Sequence, residues 1–198
     1  MILSLFLWLF PLFYLISFAY AVRGILNQKY DALFVFFLGA LPIYITSLSI
    51  LHSNGLDAVI PFFQYSKEIL VVVTLGLLLY RLSALPRWNW LDRIMILYFV
   101  YTAAYIFLPI GSFGWVQKII AFKNISIFPL LYFIGRFMKA TDFRVAAFQK
   151  QNMLLAILAA LLLIGELVTN THFQTATGYA SFYDKYFLFD PAGNYGLS

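Results

Sequence analysis

Long apolar stretches separated by short polar ones dominate this chain. A helix needs roughly 20 predominantly apolar residues to cross the hydrocarbon core of a bilayer, with about 17–25 as the working range. Stretches of that kind alternate with polar segments along the whole sequence. The pattern predicts six spans, near residues 2–22, 32–51, 61–82, 94–110, 119–137 and 152–168, followed by a polar and aromatic external loop at 170–198.

Charged residues lie within spans three and five, besides Glu166 near the end of span six. The apolar run 69–80 is too short to cross a membrane, so we extend its helix back to Pro61, a residue that suits the first turn of a helix. This extension places Lys67 and Glu68 inside the third span or near its outer edge. The fifth span likewise contains Lys123.

Composition agrees with a membrane location. The 198 residues are 63% hydrophobic and only 11% charged, whereas soluble domains usually carry about 25% charged residues. Lipid is therefore the expected solvent for most of the surface. We predict a single all-α domain, a polytopic bundle of about six transmembrane helices.

Charge and cysteine content exclude several functions. The formal net charge is +5, but the cations stand singly between apolar stretches and form no basic face, so we expect no nucleic-acid partner. The chain has no cysteine, which excludes a disulfide framework, a cysteine nucleophile and thiolate metal sites. No glycine-rich phosphate loop, zinc-protease motif or nucleotide-binding domain occurs, and no cofactor or metal is expected.

Positive charge is distributed unevenly between the two predicted sides. Cytoplasmic loops carry an excess of Lys and Arg. The segments after spans one, three and five hold nine of these residues and the other side holds four. Both ends of the chain are therefore expected outside the cytoplasm. No cation precedes the first apolar run, so we interpret it as a retained span and not as a signal peptide. The tail stops within a loop, and we expect a truncated product or part of a longer protein.

Lysines near the outer ends of spans three and five are candidates for binding an anion. Ionisable groups at membrane depth are costly and tend to face a protein interior or a water-filled cavity. Lys67, Lys118 and Lys123 could together hold a phosphate, for which lysine is a suitable point charge. The competing interpretation is that Lys67 snorkels to the interface and that Lys118 and Lys123 are interfacial anchors.

Two further residues are candidates for proton transfer. Glu166, near the outer end of span six, could act as a base, a proton carrier or the partner of a lysine. His172, just beyond that span, has a side chain whose ordinary pKa suits a general base. The alternatives are an interfacial carboxylate and a solvated loop histidine. Arg136, at the inner end of span five, is interpreted as a positive-inside anchor.

Three segments of the chain resemble the bacterial O-antigen ligase and polymerase-like membrane proteins, which include exopolysaccharide polymerases. Segment 64–70, Gln-Tyr-Ser-Lys-Glu-Ile-Leu, opens a short apolar helix with a lysine. Segment 122–136 carries a basic residue, then a proline, then an aromatic end with Gly-Arg. Segment 179–198 looks like the start of the family's larger external loop. The resemblance covers nearly all of this chain but only about the first half of a typical member.

The resemblance implies a glycosyl transfer at the outer face of the bacterial inner membrane. The donor would be a glycan on undecaprenyl pyrophosphate, and an acceptor hydroxyl would attack its anomeric carbon. Under this hypothesis, Lys67, Lys118 and Lys123 clamp the pyrophosphate, and His172 or Glu166 supplies the base. Membrane lipid and other membrane proteins are the remaining expected partners.

Two other functions remain open from the residues alone. A transporter or flippase for a lipid-linked sugar or small solute would also place Lys and Glu within the membrane and break its helices with prolines. The third possibility is a non-catalytic membrane subunit that packs in a larger assembly.

Overall fold

The structure, a computed structural model, describes residues 6–82, 86–108, 114–138, 145–170 and 172–186, and these residues contain no strand. A 3-10 turn at Asp57–Val59 precedes the third of six long helices, and two short helices follow the sixth. In chain order the helices are α1 (Leu9–Leu26), α2 (Asp31–Ser53), α3 (Ile60–Arg81), α4 (Trp90–Phe107), α5 (Trp115–Phe137), α6 (Val145–Thr169), α7 (Phe173–Ala176) and α8 (Tyr179–Tyr186).

Six segments of this structure are long and apolar enough to cross a membrane. They coincide with the six long helices, with the 3-10 turn added to the third and three residues removed from the start of the sixth. The predictions of an all-α bundle and of six spans are therefore confirmed. Residues 2–5 of the first predicted span and 109–110 of the fourth lie outside the described residues.

Local capping moves the start of two helices. The prediction began the fourth span at residue 94, but α4 begins at Trp90. The Asn89 side chain accepts a hydrogen bond from the backbone N–H of Asp92 at 2.8 Å, and the Asp92 carboxylate accepts one from the N–H of Asn89 at 2.8 Å. Such a reciprocal cap satisfies donors that a helix end leaves unpaired. At α5, the Gln117 side chain similarly accepts the N–H of Gly114.

The segment after α6 is more ordered than the predicted external loop. Where the structure describes it, this segment forms α7 and α8, and α8 packs against α2. Phe182 is fully buried, with its ring 6.0 Å from that of His52. Ser53 donates a hydrogen bond to the carbonyl of Thr177. A buried aromatic side chain and a bonded backbone explain why this polar segment folds; residues 187–198 lie outside the described part.

The chain divides into two compact units, the first made of Met1–Ser66 with Arg144–Ser198 and the second of Lys67–Phe143. The core of the first unit is built around Tyr14, which is fully buried. Its ring stacks on Phe63 at 4.6 Å and meets Phe36 edge-on at 5.5 Å. Its hydroxyl donates to the Phe63 carbonyl and lies 2.7 Å from the Ser66 hydroxyl. A tyrosine buried among aromatic rings thus keeps its polar end satisfied.

The second unit contains an antiparallel pair of helices, α4 and α5. Phe99 and Phe122 meet edge-on in the middle, with ring centroids 5.4 Å apart. Polar contacts join the two helices at both ends of the pair. Tyr132, near the end of α5, contacts Asp92 at the start of α4, and Lys118, near the start of α5, contacts Leu108 just after the end of α4. The pair is therefore fixed at both ends by polar groups and packed in between by apolar ones.

Five serine and threonine hydroxyls inside the spans are satisfied by their own helices. Each of five donates to the carbonyl four residues earlier, over distances of 2.6–3.0 Å. This arrangement keeps a polar side chain from remaining unpaired in hydrocarbon. The five residues are Ser47, Ser49, Thr74, Thr102 and Ser126.

Helix α6 presents apolar side chains around its whole circumference. No side chain between residues 148 and 169 is buried. Leu163 is 66% exposed and Leu167 81% exposed. A helix with this surface is stable in hydrocarbon and unstable in water, which agrees with a transmembrane position.

The turn between α1 and α2 depends on a glycine. A Cβ atom added to Gly24 would overlap the Cβ of Ala32, whereas one added to Gly76 in α3 would meet nothing within 4 Å. We expect Gly24→Ala to lower the free energy of unfolding by about 1–3 kcal/mol, because overpacking displaces the two helices. Thermal unfolding of the detergent-purified protein would measure this change.

The matched control is Gly76→Ala, which should leave the melting temperature unchanged or raise it slightly, since alanine favours a helix over glycine. The double variant with Gly24→Ala and Ala32→Gly should recover most of the loss. Equal melting temperatures for Gly24→Ala and the unaltered protein would contradict the close contact.

Candidate functional site: a charged cluster within the second unit

The charged residues of α3 and α5 meet in the second unit. The Lys123 ammonium lies 3.3 Å from Oε1 of Glu68, and the two side chains are 32% and 14% exposed. The second carboxylate oxygen, Oε2, is buried and has no hydrogen-bond partner among the described residues. The pair therefore joins two spans through a carboxylate that still has acceptor capacity.

The two members of the pair lie at equivalent positions along their helices. Glu68 is eight residues from the start of α3 at Ile60, and Lys123 is eight residues from the start of α5 at Trp115. At about 1.5 Å of rise per residue, each lies about 12 Å along its helix. Both charges are therefore well inside the spans, where an unpaired charge is costly.

Lys67 belongs to the same cluster. Its side chain is partly buried and interacts electrostatically with both Glu68 and Lys123. Two lysines and one glutamate leave a formal charge of +1. An arrangement of this kind can attract an anionic group and can also reorganise when that group competes with Glu68 for a lysine.

Lys118 has a structural contact at the end of α4. Its ammonium donates a hydrogen bond to the backbone carbonyl of Leu108 and lies 5.5 Å from the centre of the Tyr105 ring. The residue is 7% exposed. A cation at a helix C-terminus satisfies an otherwise unpaired carbonyl and interacts favourably with the helix dipole. The structure thus brings Lys67 and Lys123 together and gives Lys118 a contact of its own.

The two predicted bases lie in the first unit. Glu166 is partly buried near the end of α6, and His172 is exposed immediately before α7. Their roles as general bases stay predictions, and so does the pyrophosphate role of the three lysines.

A second buried charge cluster escaped the sequence analysis. Asp92, at 2% exposure, accepts a hydrogen bond from the Tyr132 hydroxyl at 2.7 Å and lies 3.4 Å from Nε of Arg136. Arg136 also donates to the carbonyl of Arg87 at 2.9 Å. Arg136 is thus more than an interfacial anchor, because it connects the end of α5 to the start of α4. The sequence gave no signal for this cluster, because Tyr132 and Arg136 lie 40 and 44 residues after Asp92.

A third cluster holds the tail of the first unit. Asp57 accepts from the Lys185 ammonium at 2.6 Å with one oxygen, and its other oxygen lies 2.7 Å from Nδ1 of His52. The sequence offered only an isolated histidine here. The partners are up to 128 residues apart, so the contact depends on the packing of α8 against α2.

The fold and its apolar surface define the chain as a multi-pass membrane protein with six transmembrane helices. No family model, curated protein or solved structure matches it. Among the described residues, no group of His, Asp and Glu side chains is arranged to hold a metal ion.

Removing the Tyr132 hydroxyl tests the contact between α4 and α5. We expect Tyr132→Phe to lower the free energy of unfolding by about 1.5–3 kcal/mol, the range for a hydrogen bond to a charged group. Thermal unfolding in detergent would measure the effect. Tyr101→Phe, at a position of α4 that is 66% exposed, is the control and should change little. Equal small effects at both positions would refute the contact.

Removing one charge of the pair between Glu68 and Lys123 should lower the free energy of unfolding more than removing both charges. Lys123→Met leaves the Glu68 carboxylate without its ion-pair partner, so we expect a loss of up to about 3 kcal/mol, the low end for breaking a buried pair, because Lys123 keeps some solvent contact. The double variant Glu68→Gln/Lys123→Met should be more stable than the single one. Lys150→Met, at an exposed lysine, is the control; additive effects at Glu68 and Lys123 would argue against coupling.

Proposed function

We propose that this protein acts in bacterial surface polysaccharide assembly, as an inner-membrane glycosyl transferase of the O-antigen polymerase or ligase type. The observation that carries the proposal is the cluster of Lys67, Glu68 and Lys123 within the membrane spans. Its formal charge of +1 and its depth suit a phosphate-bearing donor whose lipid tail lies in the bilayer. Two of the segments that resemble this family contain these residues: Lys67 and Glu68 lie in segment 64–70, and Lys123 lies in segment 122–136.

The proposed reaction needs little from the protein beyond cations and a base. The acceptor hydroxyl attacks the anomeric carbon of the glycan, and the bond from that carbon to the pyrophosphate oxygen breaks. The electron pair leaves with the lipid pyrophosphate, while the hydroxyl proton passes to a general base. Lysines near the leaving group would stabilise its developing negative charge.

The geometry of the ion pair supports substrate exchange at Lys123. Its 3.3 Å separation from Glu68 exceeds the roughly 2.7–2.9 Å of a strong charge-assisted hydrogen bond. An incoming pyrophosphate carries more negative charge than one carboxylate, so it can compete for the ammonium. Lys118 has a smaller part in this proposal, because its ammonium already caps α4.

A transporter is the second candidate, and the same ion pair favours it. A carboxylate and an amine paired within the spans also suit a proton or ion relay that opens during transport. The two functions differ in what happens to the glycan: a transferase changes its length or attachment, and a transporter changes only the side of the membrane on which it lies.

Deletion of the gene followed by complementation separates these functions. We expect deletion to abolish long-chain or surface-attached glycan on a polysaccharide gel, and the unaltered gene to restore it. Single-repeat glycan would indicate a polymerase, and unattached lipid-linked polymer a ligase. Lys67→Met and Lys123→Met should each fail to restore the product, because loss of one electrostatic contact to a developing charge lowers a rate roughly a hundredfold.

Lys150→Met serves as the control and should restore the glycan fully. Immunoblots of membrane fractions must show equal amounts of each variant. A normal glycan profile in the deletion strain, with the gene expressed in the parent and no redundant copy, would eliminate the transferase and favour transport. Full restoration by both cluster variants would remove these lysines from the proposed site.

A further inference from the structure

Four arginines of the second unit lie at or beside helix ends that the alternation of the spans places on one side of the membrane. Arg81 ends α3, Arg87 and Arg93 flank the start of α4, and Arg136 lies in the last turn of α5. Consecutive spans run in opposite directions, so the end of α3, the start of α4 and the end of α5 face the same side of the membrane. Asp92 is the only carboxylate among the described residues of these helix ends, and Arg136 and Tyr132 already contact it.

The side chains of the other three arginines, Arg81, Arg87 and Arg93, are exposed. None of them forms an ion pair with a described residue. Together they present three positive charges. Arginine, unlike lysine, can bind a phosphate through two parallel hydrogen bonds.

The segment that carries Arg87 is held in place. Arg136 donates to the Arg87 carbonyl at 2.9 Å, the Trp88 ring meets Phe133 edge-on at 6.4 Å, and Asn89 caps α4. Three separate contacts thus fix residues 87–89 against α4 and α5. A site that is ordered before it binds loses less conformational entropy on binding.

Tryptophans beside the arginines locate this surface at the lipid headgroups. Trp88 is 47% exposed and Trp90 72% exposed. Tryptophan favours the boundary between hydrocarbon and water, where its ring lies at headgroup level. An anion that meets these arginines is therefore most readily the phosphate of a lipid in the adjacent leaflet.

We propose that Arg81, Arg87 and Arg93, with Trp88 and Trp90, form a binding site for an anionic phospholipid. The arginines contact the phosphate, and the tryptophans pack beside the glycerol and the upper acyl chains. Basic surfaces next to transmembrane helices recognise anionic lipids in this way. The site is independent of the cluster in the spans and of the reaction proposed above.

Lipid titration of the purified protein tests this site. The full chain in neutral detergent receives phosphatidylglycerol, phosphatidylcholine or inorganic phosphate, and native mass spectrometry counts bound lipid while thermal unfolding measures stabilisation. We expect phosphatidylglycerol to bind and to raise the melting temperature. Phosphatidylcholine should do so less, and phosphate alone should not reproduce the effect.

Variants then assign the binding to these residues. Arg87→Gln and Arg93→Gln should each weaken phosphatidylglycerol binding about fivefold, the factor for one cation near a membrane surface. The fold should survive, because Arg136 bonds to the backbone of residue 87 and Asn89 caps the helix without either side chain. The control combines Arg23→Gln with Lys29→Gln, two exposed cations in the last turn of α1 and in the turn that follows it.

The control protein should keep the affinity of the unaltered one. Equal losses in the control and in the double variant Arg87→Gln/Arg93→Gln would overturn the proposal in favour of general charge attraction. Equal binding of phosphatidylcholine, or full stabilisation by phosphate alone, would also overturn it.

Discussion

The cost of a charge or an unpaired polar group in hydrocarbon governs this structure. Every backbone and side-chain polar group within a span must find its partner inside the protein, because no water is available there. Five serine and threonine hydroxyls of α2 to α5 meet this requirement within their own helices, by bonding to the carbonyl four residues earlier. Charged groups cannot do so, and they are satisfied by contacts between helices. In the second unit, the ionisable residues therefore join α3, α4 and α5 at defined depths.

The second unit illustrates this relation between charge and packing. Asp92 joins α4 to α5 at one end of the pair, and Lys118 joins them at the other end. Lys123 connects α5 to Glu68 of α3. The first two contacts involve a buried carboxylate and a capped helix end, so they suit a permanent structural role. The contact between Lys123 and Glu68 lies within the spans, and the other carboxylate oxygen of Glu68 has no hydrogen-bond partner among the described residues. A group that must exchange partners during function is better placed there than in either end contact.

The spans were predictable from sequence because hydropathy is a local property. A run of about 20 apolar residues has the same meaning whatever it packs against, so all six spans were found, with ends that differ from those of the helices by up to seven residues. The errors came where a specific hydrogen bond outweighed composition. Asp92 was placed before the fourth span, which was predicted to begin at residue 94, although its reciprocal bonds with Asn89 begin α4. The polar tail was expected to be irregular, although Phe182 anchors it against α2.

The charge clusters were less predictable, since their partners are distant in sequence. A lysine in a span signals an unusual position but does not identify what it contacts, and the three lysines of spans three and five looked equivalent. The structure distinguishes them by their surroundings: Lys118 caps a helix end, Lys123 pairs with Glu68, and Lys67 interacts electrostatically with both members of that pair. This difference bears on the proposed function. A lysine bound to a backbone carbonyl cannot leave it without exposing an unsatisfied helix end, whereas a lysine paired with a carboxylate can exchange that partner for another anion and conserve the local charge balance.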